Sequence, residues 1–180
     1  MDTTMIREYA ACDCFSSAQG NAALAKPPER TFAVFFYGLN MDAGLLSSKG
    51  VVPRDPRLAL IEGQVVVLGA KAMLLRSLGG RAYGMLFWLT HQEMDTLYAG
   101  MHDYRPEPFT AILVNPGEDS RPVAAISMVH VDPPVDSKHD SAYSARWINL
   151  VRRLGIADLM PAGEGSKPFA ALPIEPWGTE

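Results

Sequence analysis

From Thr31 onward the chain alternates apolar runs with short polar breaks, and the spacing of the apolar positions sorts the runs into strands and helices. Phe32 to Tyr37, FAVFFY, is apolar on both faces and rich in aromatic and β-branched residues, the pattern of a strand buried inside a sheet. It stops at Tyr37-Gly38-Leu39-Asn40, after which AGLLSS reads as a short helix with either Asn40 or Asp42 as its N-cap. Ile61 to Gly69 and Lys71 to Ser77 predict two further strands, and Leu78-Gly79-Gly80 predicts a turn before another strand over Arg81 to Thr90. There the period changes. Thr90 with Glu93 is a capping-box signature, and Met94, Leu97 and Met101 recur at helical spacing, so a helix is expected over Gln92 to Met101 with Met101 in its core stripe. Phe109 to Asn115 and Arg121 to Val131 predict a hairpin joined by NPGEDS, and Asp132 to Ser141 a loop. Ala142 to Leu154 predicts a second helix, with Tyr143, Trp147, Leu150, Val151 and Leu154 on one face and Gly155 at its C-cap.

Strands dominate and the βαβ alternation of a doubly wound fold is missing. The expected fold class is therefore α+β: a small mixed, barrel-like β-sheet with a few flanking helices. The 180 residues fit one domain, 31–160, with a flexible arm over 1–30 and a tail over 161–180. The 16 basic and 20 acidic residues form no long block of one sign, so no nucleic-acid partner is expected. Apolar runs are cut by glycine or lysine well short of the roughly 20 residues that span a bilayer, and no membrane span is expected. Met1 to Ser17 lacks the compact apolar core of a signal peptide, which points to a cytoplasmic address. Cys12 and Cys14 read as free thiols on the arm. His91, His102, His130 and His139 show no metal-ligand spacing, and no P-loop, dinucleotide fingerprint or GxSxG elbow is present, so neither metal nor cofactor is expected. The oligomeric state is not fixed by the sequence.

The order of features resembles the γ-glutamylcyclotransferase-like (AIG2-like) family. Its Tyr-Gly-Ser-Asn loop after the first strand is matched by Tyr37, Gly38, Leu39 and Asn40, followed by Met41, with leucine in place of the serine. Its Gly-x-Leu-Tyr-x-Leu strand is matched by Gly84-Met85-Leu86-Phe87-Trp88-Leu89, and its late helix by Tyr143 through Ile156. The similarity covers roughly Phe32 to Ile156. The family's catalytic glutamate lies in a run Leu-Asp-x-x-Glu-Gly, which, set on Leu97-Tyr98-Ala99-Gly100-Met101-His102, places Met101 at the glutamate.

The resemblance implies a small-molecule substrate and a cyclisation: the α-amine of a γ-glutamyl compound attacks its own γ-carbonyl, releasing an amine and closing 5-oxoproline. Such chemistry needs a base, donors for the oxyanion and a folded substrate. With methionine at the glutamate position, a rebuilt catalytic group is implied, for which Asp103 and His102 are the candidates, acting in this or a related acyl transfer or elimination. The implied substrate-binding residues are Tyr37, Gly38, Leu39, Asn40, Met41, Gly80, Met101, Tyr104 and Arg105. Gly38 is expected to permit a turn closed to other residues and a close approach of ligand to main chain. Gly79-Gly80 reads equally as a plain turn, and Arg105 as either a carboxylate partner or an exposed arginine. The alternative function is a binding module that keeps the pocket and has lost the chemistry.

Overall fold

The apolar run that opens the domain forms β1, Phe32–Phe36, and a 3-10 turn over Leu39–Met41 leads from it into a short helix α1, Ala43–Ser48. This is a computed structural model, and it describes residues 29–114, 121–133 and 139–159. The arm with both cysteines, the NPGEDS connection and the tail from Met160 lie outside the described residues. Asp42 caps α1, accepting from the main-chain N–H of Gly44 at 2.8 Å and of Leu45 at 3.4 Å. Asp42, and not Asn40, is therefore the cap.

β2, Arg54–Leu68, and β3, Ala72–Leu89, form one long antiparallel hairpin. Its register runs from Leu68 opposite Ala72 to Gln64 opposite Arg76, then resumes at Glu62 opposite Arg81. Ser77 to Gly80 thus bulge outward opposite Gly63, and the predicted turn at Leu78-Gly79-Gly80 does not reverse the chain. Gly63 and Gly79 take φ of +72° on the two sides of the irregularity, a conformation glycine reaches without cost, so the bulge is absorbed inside the strand. The two strands predicted on either side of it are one.

α2, His91–Tyr98, starts where the sequence placed it: the Thr90 hydroxyl accepts from the Glu93 N–H, and the Glu93 carboxylate accepts from the Thr90 N–H at 2.8 Å. It ends three residues before the expected Met101, because Gly100 at φ +76° takes the left-handed conformation that stops a helix. Met94 and Leu97 are buried, but Met101 is 38% exposed and does not continue their stripe.

β4, Tyr104–Leu113, and β5, Pro122–His130, pair antiparallel from Tyr104 opposite His130 to Ile112 opposite Pro122. β4 begins at Tyr104, five residues before the expected Phe109. Among the described residues the sheet is a closed barrel in the order β1-β3-β2-β4-β5. Its closing seam is thin. β1 and β5 run parallel, with Val34 opposite Ile126, and the buried Ser127 hydroxyl reinforces the seam by donating to the Phe35 oxygen at 2.9 Å. α3, Ser141–Arg153, is capped by Asp140 and buries Trp147, Leu150 and Val151, while Gly155 takes the left-handed position after it at φ +70°.

The barrel core gathers Phe35, Phe87, Leu86 and Leu89 with Val34, all essentially without exposure. Burying such side chains contributes about 1.5–3 kcal/mol each, which is what the apolar runs of β1 and β3 supply. Gly84 is where the two strands press closest: a Cβ there would stand 2.2 Å from the Phe36 oxygen and 2.7 Å from the Phe35 ring. Among the described residues no helix is long and apolar enough to cross a membrane.

Candidate functional site

The loop that ends β1 is held from three sides. The Tyr37 hydroxyl donates to the Met128 oxygen of β5 at 2.8 Å, and the Tyr37 oxygen accepts from the Trp147 indole N–H of α3 at 2.9 Å. Met41 is 1% exposed and packs into the core with Leu46, so it anchors the loop from beneath. Asn40 accepts from Lys49 Nζ at 2.9 Å, and its side chain also reaches the Tyr98 hydroxyl.

Gly38 is not in a left-handed turn. Its φ of −102° and ψ of −156° are extended backbone that other residues adopt, so the expected conformational reason for glycine is corrected. What the position requires is room: a Cβ would meet the Tyr143 hydroxyl at 3.1 Å and the Ala72 Cβ at 3.7 Å.

Around this loop the fold gathers tyrosines. Burial pushes the Tyr37 phenol far above its ordinary range, with Tyr104, Tyr98 and Tyr143 adding to the rise and the Leu74 main chain opposing it. Burial raises Tyr98 likewise, against the Asn40 hydrogen bond, and raises Tyr104, helped by Tyr143 and Asp103. The Tyr98 and Tyr104 rings lie 6.4 Å apart, and the Tyr104 ring stands edge-on to His130 at 5.2 Å. Burial therefore favours the protonated phenol at Tyr37, Tyr98 and Tyr104, and the Tyr37 hydroxyl spends its proton on Met128. Burial also lowers Lys49, at the rim, and Lys71 lowers it further.

The structure brings Tyr37, Gly38, Asn40 and Tyr104 together. The other expected residues stand apart. His102 and Asp103 are exposed, and Asp103 reaches the cluster only through its charge on Tyr104. Arg105 points away from Tyr104, as strand alternation demands, and pairs with Glu107 at 2.6 Å. It lines a cleft of about 350 Å³ with Gln64, Leu74, Arg76 and the His130 that stands against Tyr104. A Cβ on Gly80 would meet Val65, Gln64 and Ser77 of its own hairpin at 2.8–2.9 Å, so this glycine serves the bulge. Leu39 faces the cleft between α1 and α3.

Sequence reasoning missed Tyr98 and Tyr143. For Tyr98 a signal existed: set on Met94-Asp95-Thr96-Leu97-Tyr98-Ala99, the run Leu-Asp-x-x-Glu-Gly matches at its aspartate and brings its glutamate position onto Tyr98, the last residue of α2 and the one that reaches Asn40. Among the described residues no group of three or more His, Cys, Asp or Glu side chains is placed to hold a metal ion.

No family model and no curated protein sequence matches the chain. Solved structures do. A γ-glutamyl cyclotransferase superposes with a TM-score of 0.54 at 10% identity, over 77% of this chain and 93% of that one. An uncharacterised Homo sapiens protein gives 0.53 at 10% identity, over 79% and 95%. A solution structure from Arabidopsis thaliana gives 0.51 at 18% identity, over 72% and 88%. At these identities the likeness concerns the path of the backbone and not the chemistry of the site. The closed five-stranded barrel with its loop after β1 and its late helix α3 is the γ-glutamyl cyclotransferase-like fold.

Proposed function

We propose that the chain binds a small amine- or acid-bearing metabolite, such as a γ-glutamyl compound, at the mouth of the barrel, as a binding module that does not perform the cyclisation. One observation carries this reading: the last residue of α2, Tyr98, whose ring lies 6.4 Å from that of Tyr104, brings a phenol and not a carboxylate to the cluster. Ring closure requires a group that takes a proton from the attacking ammonium and returns it to the leaving nitrogen. A phenol that keeps its proton well above neutral pH donates hydrogen bonds and cannot fill that role. The donors are suited to a ligand's carboxylate or carbonyl oxygens: the phenols of Tyr98, Tyr104 and Tyr143, with Lys49 at the rim. The reading keeps the cytoplasmic address expected from the sequence.

Asp103 favours a second reading, an enzyme with a rebuilt base, because its charge is felt at Tyr104 inside the cluster. The two separate on incubation with γ-glutamyl amines, γ-glutamyl amino acids and glutathione. A binding module is stabilised thermally by a member of the panel and releases no 5-oxoproline. Turnover that falls in Asp103→Asn supports the enzyme instead.

A further inference from the structure

A second concavity, of about 400 Å³, lies on the other side of the loop, between the 3-10 turn, α1 and α3. From α3 it takes Arg146, Asn149, Leu150 and Arg153, whose spacing puts them on one helical stripe. From the opposite wall it takes Leu39, Asp42 and Leu45. The volume falls within the range of small-molecule sites.

The charges in the cleft do not balance. Arg153 pairs with Asp42, whose carboxylate also caps α1. Burial opposes the charged form of Asp42, and Arg153 with the Gly44 and Leu45 N–H groups overcomes it, holding the carboxyl below its usual range. Asp42 is thus fully engaged. Arg146 has no ion-pair partner among the described residues, and the Asn149 amide stands on the next turn beside it. A guanidinium with a free fork next to an amide is suited to two-pronged recognition of a planar or tetrahedral oxyanion. The floor is apolar, with Leu150 buried and Leu39 and Leu45 half-buried. Leu39 is the residue that replaces a serine in the family loop, and it adds apolar wall to this cleft.

We propose that this cleft is a second binding site, taking a small molecule that joins an oxyanion head group to an apolar body, with Arg146 and Asn149 on the head and Leu39, Leu45 and Leu150 under the body. It goes beyond the barrel-mouth reading and shares no polar residue with it.

Calorimetric titration of the full chain with phenyl phosphate, benzoate, inorganic phosphate and phenol tests it. Phenyl phosphate or benzoate binds saturably, and the one that binds more tightly identifies the head group. Inorganic phosphate and phenol, each carrying half the pattern, bind about tenfold more weakly or worse. Arg146→Gln and Asn149→Ala each weaken the composite ligand, the first by about tenfold, while Arg81→Gln on β3 changes it by less than about twofold. Arg146 and Asn149 are exposed, so both variants are expected to melt with the parent, and the melt is recorded alongside. No saturable binding of either composite anion overturns the proposal, and so does binding indifferent to both α3 substitutions or matched by phenol alone.

Discussion

The Trp147 indole N–H donates to the main-chain oxygen of Tyr37 at 2.9 Å, and this buried bond ties α3 to the end of β1, 110 residues away in the chain. Tyr37 turns the same residue the other way, its hydroxyl donating to Met128 of β5. The loop at the barrel mouth therefore inherits its position from both a strand and a helix. Trp147→Phe keeps a ring and removes the donor, leaving a buried carbonyl without a partner. The expected cost is about 1–3 kcal/mol, read as a lower urea midpoint with an unchanged slope. An unchanged midpoint would show that the bond does not hold α3.

Gly84→Ala is expected to be worse. The added Cβ would meet backbone at 2.2 Å, and backbone inside a sheet cannot swing aside as a side chain does. The loss should be about 3 kcal/mol or more, seen as a collapse of the thermal transition or of soluble yield. Gly79→Ala is strained by its positive φ but meets open space, and it should cost about 1 kcal/mol. The order of these two variants is the test.

Stability at acid pH should follow Glu93. Burial opposes its charge, but Arg54 at 2.8 Å and the N–H groups of Thr90 and Val52 outweigh burial and bring its carboxyl to about 2. The folded value lies below the unfolded one, so the stabilisation is complete above the unfolded pKa of 4.5 and is lost as pH falls toward 2. Because Arg54 is 35% exposed, the loss is on the order of 2 kcal/mol and not the full amount the shift implies. Denaturant melts between pH 5 and 2 read it, and Glu93→Gln should flatten that slope. A parallel slope in the variant would assign the acid sensitivity to another carboxylate.

How much of this was legible in the sequence depends on whether the signal is local. The Thr90–Glu93 box, the C-cap at Gly155 and the apolar run of β1 are local, and each stands where its residues predict. Leu78-Gly79-Gly80 reads as a turn because glycines punctuate both turns and bulges, and only the partner strand decides which. The Met94, Leu97 and Met101 stripe ran too far because Gly100 lies between its last two members, a stop visible in the sequence and outweighed by periodicity. The tyrosine cluster was legible only in part: Tyr37 and Tyr104 stand among the residues the sequence points to, and Tyr98 and Tyr143 do not. Tyr37 lies in the loop after β1, and Tyr98, Tyr104 and Tyr143 come from α2, β4 and α3, so only the tertiary fold brings them together.

Binding at the barrel mouth is read by incubating the purified chain with γ-glutamyl amines, γ-glutamyl amino acids and glutathione. Melting temperature and released 5-oxoproline are recorded in the same samples. At least one compound is expected to raise the melting temperature, Tyr98→Phe to weaken its binding by about fivefold through loss of one hydrogen bond, and no 5-oxoproline to form. Steady 5-oxoproline release by the parent chain would show that the barrel mouth is a catalytic site and not a binding module.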